Sequence, residues 1–284
     1  MKITIENLSM VYPNGKTALD QISCTLESPN LIGLLGPNGA GKSTLMKLLT
    51  AALVPTSGRI LVDGEPLLKH EQQLKQQLGY LPQAFGLYDE LTIWQFLDYM
   101  AALKQINQPA KAIEQAIRDT NLNAKRKSRI SSLSGGERQR VGIAQAMLVD
   151  DPQFLILDEP TVGLDPKERL DFRNLFSKKA QDRLVLLSTH IIDDVQSVCN
   201  QLIVIDHGRI LFIGTPAQLI ASARGHVALF NDQPVSDKIH ITARINTAEG
   251  IQCRGVAENM PADSMLVEPT LEDAYMYLIQ YKGA

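Results

Sequence analysis

The stretch Gly36-Pro37-Asn38-Gly39-Ala40-Gly41-Lys42-Ser43-Thr44 fits the pattern G-x-x-x-x-G-K-[ST] at every fixed position. Its flanks agree with it. The apolar run Leu31-Ile32-Gly33-Leu34-Leu35 reads as a strand buried on both faces, and Leu45, Leu48 and Leu49 form a helical apolar stripe directly after the loop. Glycines let consecutive backbone N–H groups turn toward one anion with no Cβ in the way. The helix behind the loop adds about half a positive charge at its N-terminus. The pattern assigns Lys42 to the β- and γ-phosphates of a nucleotide and the Ser43 hydroxyl to Mg²⁺.

Working outward, Phe154-Leu155-Ile156-Leu157-Asp158-Glu159 sets two carboxylates at the end of a second buried strand. Binding sites of open α/β sheets lie at the carboxyl ends of their strands. Asp158 is thus placed to hold Mg²⁺ in its outer shell, and Glu159 to orient and polarise an attacking water. Taken alone, the pair reads equally well as loop acids capping the next helix. Leu184-Val185-Leu186-Leu187 is a third buried run, and Leu202 to Asp206 and Arg209 to Ile213 flank His207-Gly208, a two-residue hairpin signal. This alternation predicts an α/β fold with a largely parallel sheet.

Between Phe85 and Met147 the strand signal stops. Trp94, Phe96, Leu97, Met100, Ala101 and Leu103 follow helical spacing, as do Ala112, Ile113, Ala116 and Ile117. Asn107-Gln108-Pro109 divides this helical insertion, which spans residues 84–148. Beyond Ile220 the runs shorten again. Val227 to Phe230, Ile239 to Ile245, Ile251 to Val256 and Met265 to Val267 read as strands, and a helix begins at Pro269-Thr270 with Leu271, Ala274, Tyr275 and Leu278 on one face. Residues 1–220 are expected to form the main domain and 221–284 a small β-rich appendage closed by that helix.

Composition narrows the class. A formal net charge of −3 over 284 residues argues against a surface that coats nucleic acid, so no nucleic-acid partner is expected. Cys24, Cys199 and Cys253 lack the spacing of a redox or metal pair and read as small buried hydrophobes. The start, Met1-Lys2-Ile3-Thr4-Ile5-Glu6, reads as a strand rather than a signal peptide, and no run approaches the roughly 20 apolar residues that span a bilayer. His226 and His240 read as ordinary surface or strand residues.

Leu133-Ser134-Gly135-Gly136-Glu137 lies shortly before the Asp158-Glu159 strand. Together with Gly36 to Thr44 it resembles the nucleotide-binding subunit of ABC transporters, a family that the LSGG run separates from other phosphate-loop ATPases. Gln83 in Tyr80-Leu81-Pro82-Gln83 matches the family's Q-loop, Gly163-Leu164-Asp165 its D-loop, and His190 in Ser188-Thr189-His190 its switch histidine. Tyr12 matches the aromatic that stacks on adenine. Singly, Tyr12 reads as a surface aromatic and Ser134-Gly135-Gly136 as a turn and cap; the joint order carries the resemblance, over residues 1–220. Glu137 departs from the family's frequent Gln.

The resemblance implies a phosphate-loop core with a mixed sheet, an N-terminal antiparallel β subdomain and a helical subdomain. It implies ATP and Mg²⁺ as cofactors. It also implies a head-to-tail dimer, with a second copy or a homologous ATPase. Lys42, Ser43, Gln83, Asp158, Glu159 and His190 of one chain, Gln83 also as a metal contact, would then act with Ser134, Gly135 and Gly136 of the opposite chain, and Asp165 would be a further nucleotide contact. Separate transmembrane permease subunits would carry the load, placing the chain in the cytoplasm on the inner face of a bacterial membrane. Pro269-Thr270-Leu271-Glu272-Asp273 and Thr161-Val162-Gly163-Leu164-Asp165-Pro166 resemble the exporter branch. A single-cassette assembly ATPase and an importer subunit are the alternatives. Phe85, Leu87, Tyr88, Leu91, Trp94 and Phe96 either line a permease groove or pack the helical subdomain.

Overall fold

The computed structural model describes residues 1–149, 153–231, 239–247, 250–260 and 264–282. The chain opens with β1 (Lys2–Val11) and β2 (Thr17–Glu27), an antiparallel pair. β3 (Asn30–Leu35) runs into the phosphate loop and α1 (Lys42–Leu49). β4 (Ser57–Val62) and β5 (Glu65–Pro66) join the first pair in an antiparallel sheet of order β2-β1-β4-β5. α2 (Glu71–Gln77) and β6 (Leu78–Leu81) follow, then α3 (Ile93–Leu103), α4 (Pro109–Asp119) and α5 (Gly135–Ala146).

The chain re-enters its core at β7 (Phe154–Asp158) and continues through α6 (Pro166–Lys179), β8 (Leu184–Thr189), α7 (Ile192–Gln196), β9 (Gln201–Asp206), β10 (Arg209–Gly214) and α8 (Pro216–Ser222). The central sheet has the order β10-β9-β3-β8-β7-β6, parallel from β9 to β6 with β10 antiparallel at its edge. A third sheet, of order β12-β13-β11-β14, is built from β11 (Val227–Asn231), β12 (His240–Thr247), β13 (Gly250–Val256) and β14 (Met265–Leu266), with α9 (Leu271–Tyr281) closing the chain.

The apolar runs of β3, β7 and β8 are continuous because both faces of the sheet are covered. Successive side chains alternate between two cores. Ile32, Leu34, Ile156 and Leu186 join the cluster under the antiparallel sheet and α1. Leu31, Leu35, Leu155, Leu157, Val185 and Leu187 join the cluster on the other face. That second cluster runs on without a break into Leu219, Val227, Val256, Leu271, Ala274 and Tyr277. A separate cluster holds the helical region together, with α5 bridging: Val141 and Ala144 face it while Ile143 and Ala146 face the sheet.

The hairpin at His207-Gly208 forms with φ of 46° and 76°, both in the left-handed region that a tight two-residue turn needs. Pro109 is the first residue of α4, so Asn107-Gln108 is the break between α3 and α4. All three cysteines are buried, and burial pushes the Cys24 thiol up to about 12. The structure sharpens two readings. On α9 Tyr275, half-buried, packs with Leu271, Ala274 and Leu278 as expected, and Tyr277 adds a buried ring stacked on His226 at 4.4 Å. Phe96 is fully buried and lines no groove, whereas Tyr88 is exposed and meets the exposed Tyr99 edge-on at 5.5 Å. Among the described residues no helix is long and apolar enough to cross a membrane.

Candidate nucleotide site

The phosphate loop leaves the carboxyl end of β3, whose neighbours are β8 and β9. Glycine is required at Gly41, which has φ of 112°, and any Cβ there would stand 2.6 Å from the Ala18 carbonyl oxygen. α1 starts at Gly41 with no side-chain cap, so its first N–H groups face the loop's own hollow. In contrast, α3, α5, α6, α8 and α9 each begin with a reciprocal capping box.

Lys42 is buried, and its Nζ donates to the loop carbonyls of Gly36 at 2.6 Å and Pro37 at 3.1 Å. The nearest carboxylate oxygen, on Glu159, stands 3.9 Å away. Burial draws the Lys42 ammonium below its ordinary pKa, and the Glu159 and Asp158 carboxylates pull the other way. The loop therefore holds a desolvated cation on neutral acceptors, which an anion with several oxygens satisfies better.

The carboxylates arrive on β7. Asp158 is buried and accepts a hydrogen bond from the Ser188 hydroxyl of β8. The Glu159 N–H bonds to Ser188 as well, at 3.0 Å to its hydroxyl and 3.2 Å to its carbonyl oxygen. Glu159 sits at φ of 52°, a left-handed conformation that costs a side-chain-bearing residue about 1 kcal/mol or more. That turn aims its carboxylate back at Lys42 and at His190, whose Nδ1 lies 3.0 Å from Glu159 Oε2. Glu159 is buried in the cleft lining while His190 is half exposed and stands behind it, outside that lining.

Tyr12, Asn38, Gly39, Ser43, Gln83 and Glu159 line one cleft with Lys42. The Tyr12 hydroxyl is 3.1 Å from the Thr44 hydroxyl, which anchors the ring beside the loop. Ser134, Gly135, Gly136 and Asp165 lie outside that cleft. Ser134 caps α5 and is exposed; Asp165 caps α6. Glu137 completes the α5 capping box, and the Ser134 N–H leads the contacts that hold its carboxyl below the ordinary range, with Lys125 adding to them.

Sequence reasoning missed several contributors. Lys16 and Ala18 also line the cleft. Gln139 of α5 donates to the Pro160 carbonyl at 2.9 Å, and Asp194 joins Thr161 to Arg173 in a buried cluster. No spacing or motif in the sequence marks these residues, because they come together only in space.

Among the described residues no group of three or more His, Cys, Asp or Glu is placed to hold a metal ion. The Ser43 hydroxyl and the Asp158 carboxylate fit a hard cation that takes its other ligands from phosphate and water, which is the habit of Mg²⁺.

Comparison with known proteins agrees with this chemistry. A family model described as ABC transporter matches residues 19–162. The Nod factor export ATP-binding protein I of Neorhizobium galegae is 32% identical over 98% of this chain and 85% of its own length. An ABC transporter ATP-binding protein of Synechocystis is 31% identical, over 97% of this chain and 84% of its own. A solved structure of an ABC transporter ATP-binding subunit superposes with a TM-score of 0.69 at 27% identity, covering 78% of this chain and 93% of that one.

Proposed function

The chain belongs to the ABC transporter ATP-binding family, and we propose that it powers export through separate permease subunits by closing with a second ATPase subunit around two ATP molecules. It is an ATP-binding subunit and an ATP hydrolase. The observation that carries the finer reading is the contact of His190 with Glu159, at 3.0 Å, where Glu159 lines one cleft with Lys42 and Gln83.

In this reading Tyr12 stacks on adenine, and the amides of residues 36–44 with Lys42 hold the phosphates. Ser43, Asp158 and Gln83 would hold Mg²⁺, which would supply charge neutralisation on the phosphate oxygens. Glu159 accepts the proton of the attacking water and His190 steadies that carboxylate. Ser134, Gly135, Gly136 and Asp165 lie outside the cleft and act on the nucleotide of the partner subunit. Residues 1–220 form the ATPase domain and 221–284 an accessory region, on the cytoplasmic face of a bacterial membrane. The exposed Tyr88–Tyr99 pair is the docking point for a permease helix. Export is favoured by the name of the Neorhizobium relative and by the Pro269 to Asp273 ending.

Light scattering tests the dimer. With saturating ATP and Mg²⁺, Glu159→Gln elutes at twice the monomer mass, and adding Ser134→Arg returns it to one. A monomeric Glu159→Gln under those conditions would sink the two-ATP clamp.

A further inference from the structure

The loop that follows β7 carries both Glu159 and Asp165, and it is held at two points. Gln139 of α5 holds the Pro160 carbonyl at 2.9 Å. On the other side Thr161, itself buried, donates its hydroxyl to Asp194 Oδ2 at 2.5 Å. Asp194 is completely buried and lies in the first turn of α7, four residues after His190. Its other oxygen accepts a two-pronged hydrogen bond from Arg173 of α6, with Nε at 2.9 Å and Nη2 at 2.7 Å. One carboxylate thus joins the loop bearing Glu159, the helix capped by Asp165 and the segment bearing His190.

A buried carboxylate is retained only where its partners satisfy it, and losing one partner leaves a costly charge. No oxygen of Asp194 reaches the cleft lining, so it has no direct part in binding. What it does control is distance. Glu159 and His190 sit on separate segments; Ser188 joins them at the strand ends, and Asp194 ties the same segments a second time, behind the pair.

We infer that Asp194 is a positioning residue for hydrolysis: through Thr161 and Arg173 it sets the approach of His190 to Glu159 and ties that pair to the Asp165 end of the loop. This rests on the reading of Glu159 and His190 above. The expected consequence is a rate effect without a binding effect, because an error near 1 Å in a reacting group can cost about a hundredfold.

Thr161→Val is the sharpest probe, since it removes one hydroxyl, keeps the volume and leaves the Asp194–Arg173 pair in place. It should lower kcat about tenfold while the Kd for ATP, measured with a fluorescent analogue, stays within twofold. Thr161→Ser should recover the rate. In a His190→Ala background Thr161→Val should cost less than twofold more, because the geometry it protects is already gone. Asp194→Asn should repeat the pattern; if it misfolds, Thr161→Val alone decides. Wild-type kcat in a folded Thr161→Val, or a full additional tenfold loss in the His190→Ala background, would overturn the inference. Wild-type turnover by His190→Ala itself would overturn the site reading and take this inference with it, whereas an impaired His190→Ala beside an unimpaired Thr161→Val removes the inference alone.

Discussion

The N-termini of α1 and α9 use the same physics to opposite ends. Both present free N–H groups and the positive end of a helix dipole. α9 is saturated from within. Asp273 accepts from the Thr270 N–H at 2.8 Å and the Thr270 hydroxyl at 2.7 Å, and Thr242 and both prongs of Arg254 complete its shell. α1 has no capping side chain, and its buried cation leans on carbonyls with its nearest carboxylate at 3.9 Å. A closed helix end adds to stability, while an open one with a buried, under-used cation is a place for a ligand.

Four changes break or sharpen that contrast. The largest is at the open end. Glu159→Gln should cut ATP turnover by about 10²- to 10⁴-fold, the usual loss for a missing general base, with nucleotide binding retained. Steady-state phosphate release measures it, and near-normal turnover would remove Glu159 from its role. Next is the closed end. Asp273→Asn leaves Arg254 unpaired in a largely buried pair and should cost about 3 kcal/mol of stability in urea unfolding, with the Kd for ATP unchanged.

Lys42→Met is the crossed case. It should weaken ATP binding by about 2 kcal/mol, the scale of a charged hydrogen bond, yet hold or raise the unfolding midpoint because a desolvated charge is gone. A fall in both would show that Lys42 is structural, as Asp273 is. The smallest effect is in acid. Burial works to raise the Asp273 carboxyl, but Arg254, Thr270 and Thr242 outweigh it and hold it below its ordinary value. A carboxyl depressed in the folded state gives stability that is full above its unfolded pKa, about 3.9, and is lost as pH falls through the lower folded value. The stability gap between wild type and Asp273→Asn should therefore be constant from pH 7 to 5 and shrink below about pH 4. A gap that widens in acid would contradict the assigned direction.

Much of the fold was legible because its signals are local. β3, β7 and β8 read as unbroken apolar runs, and His207-Gly208 marks its own turn, since φ above zero selects residues directly. Asp273 could be placed on a helix but not in an ion pair, because Arg254 lies on a strand 19 positions earlier. Tyr277 could not be read as a second inward tyrosine beside Tyr275 for a similar reason: its partner, the His226 ring, comes from the loop before β11. Of the two places open to Phe96, packing won because α3 joins a cluster shared with α4 and α5, which widens the buried arc of a short helix.

The sequence by itself determined that residues 36–44 make an anion cradle, because glycine freedom, backbone N–H groups and Lys42 act within one contiguous turn. Only the tertiary structure decided how charge is arranged around it. Parallel pairing of β7 with β8 brings Asp158 against Ser188 and Glu159 within 3.0 Å of His190, and Asp194 reaches back to Thr161. Burial and Coulomb attraction sum over neighbours in space, and those neighbours lie some thirty residues apart along the chain.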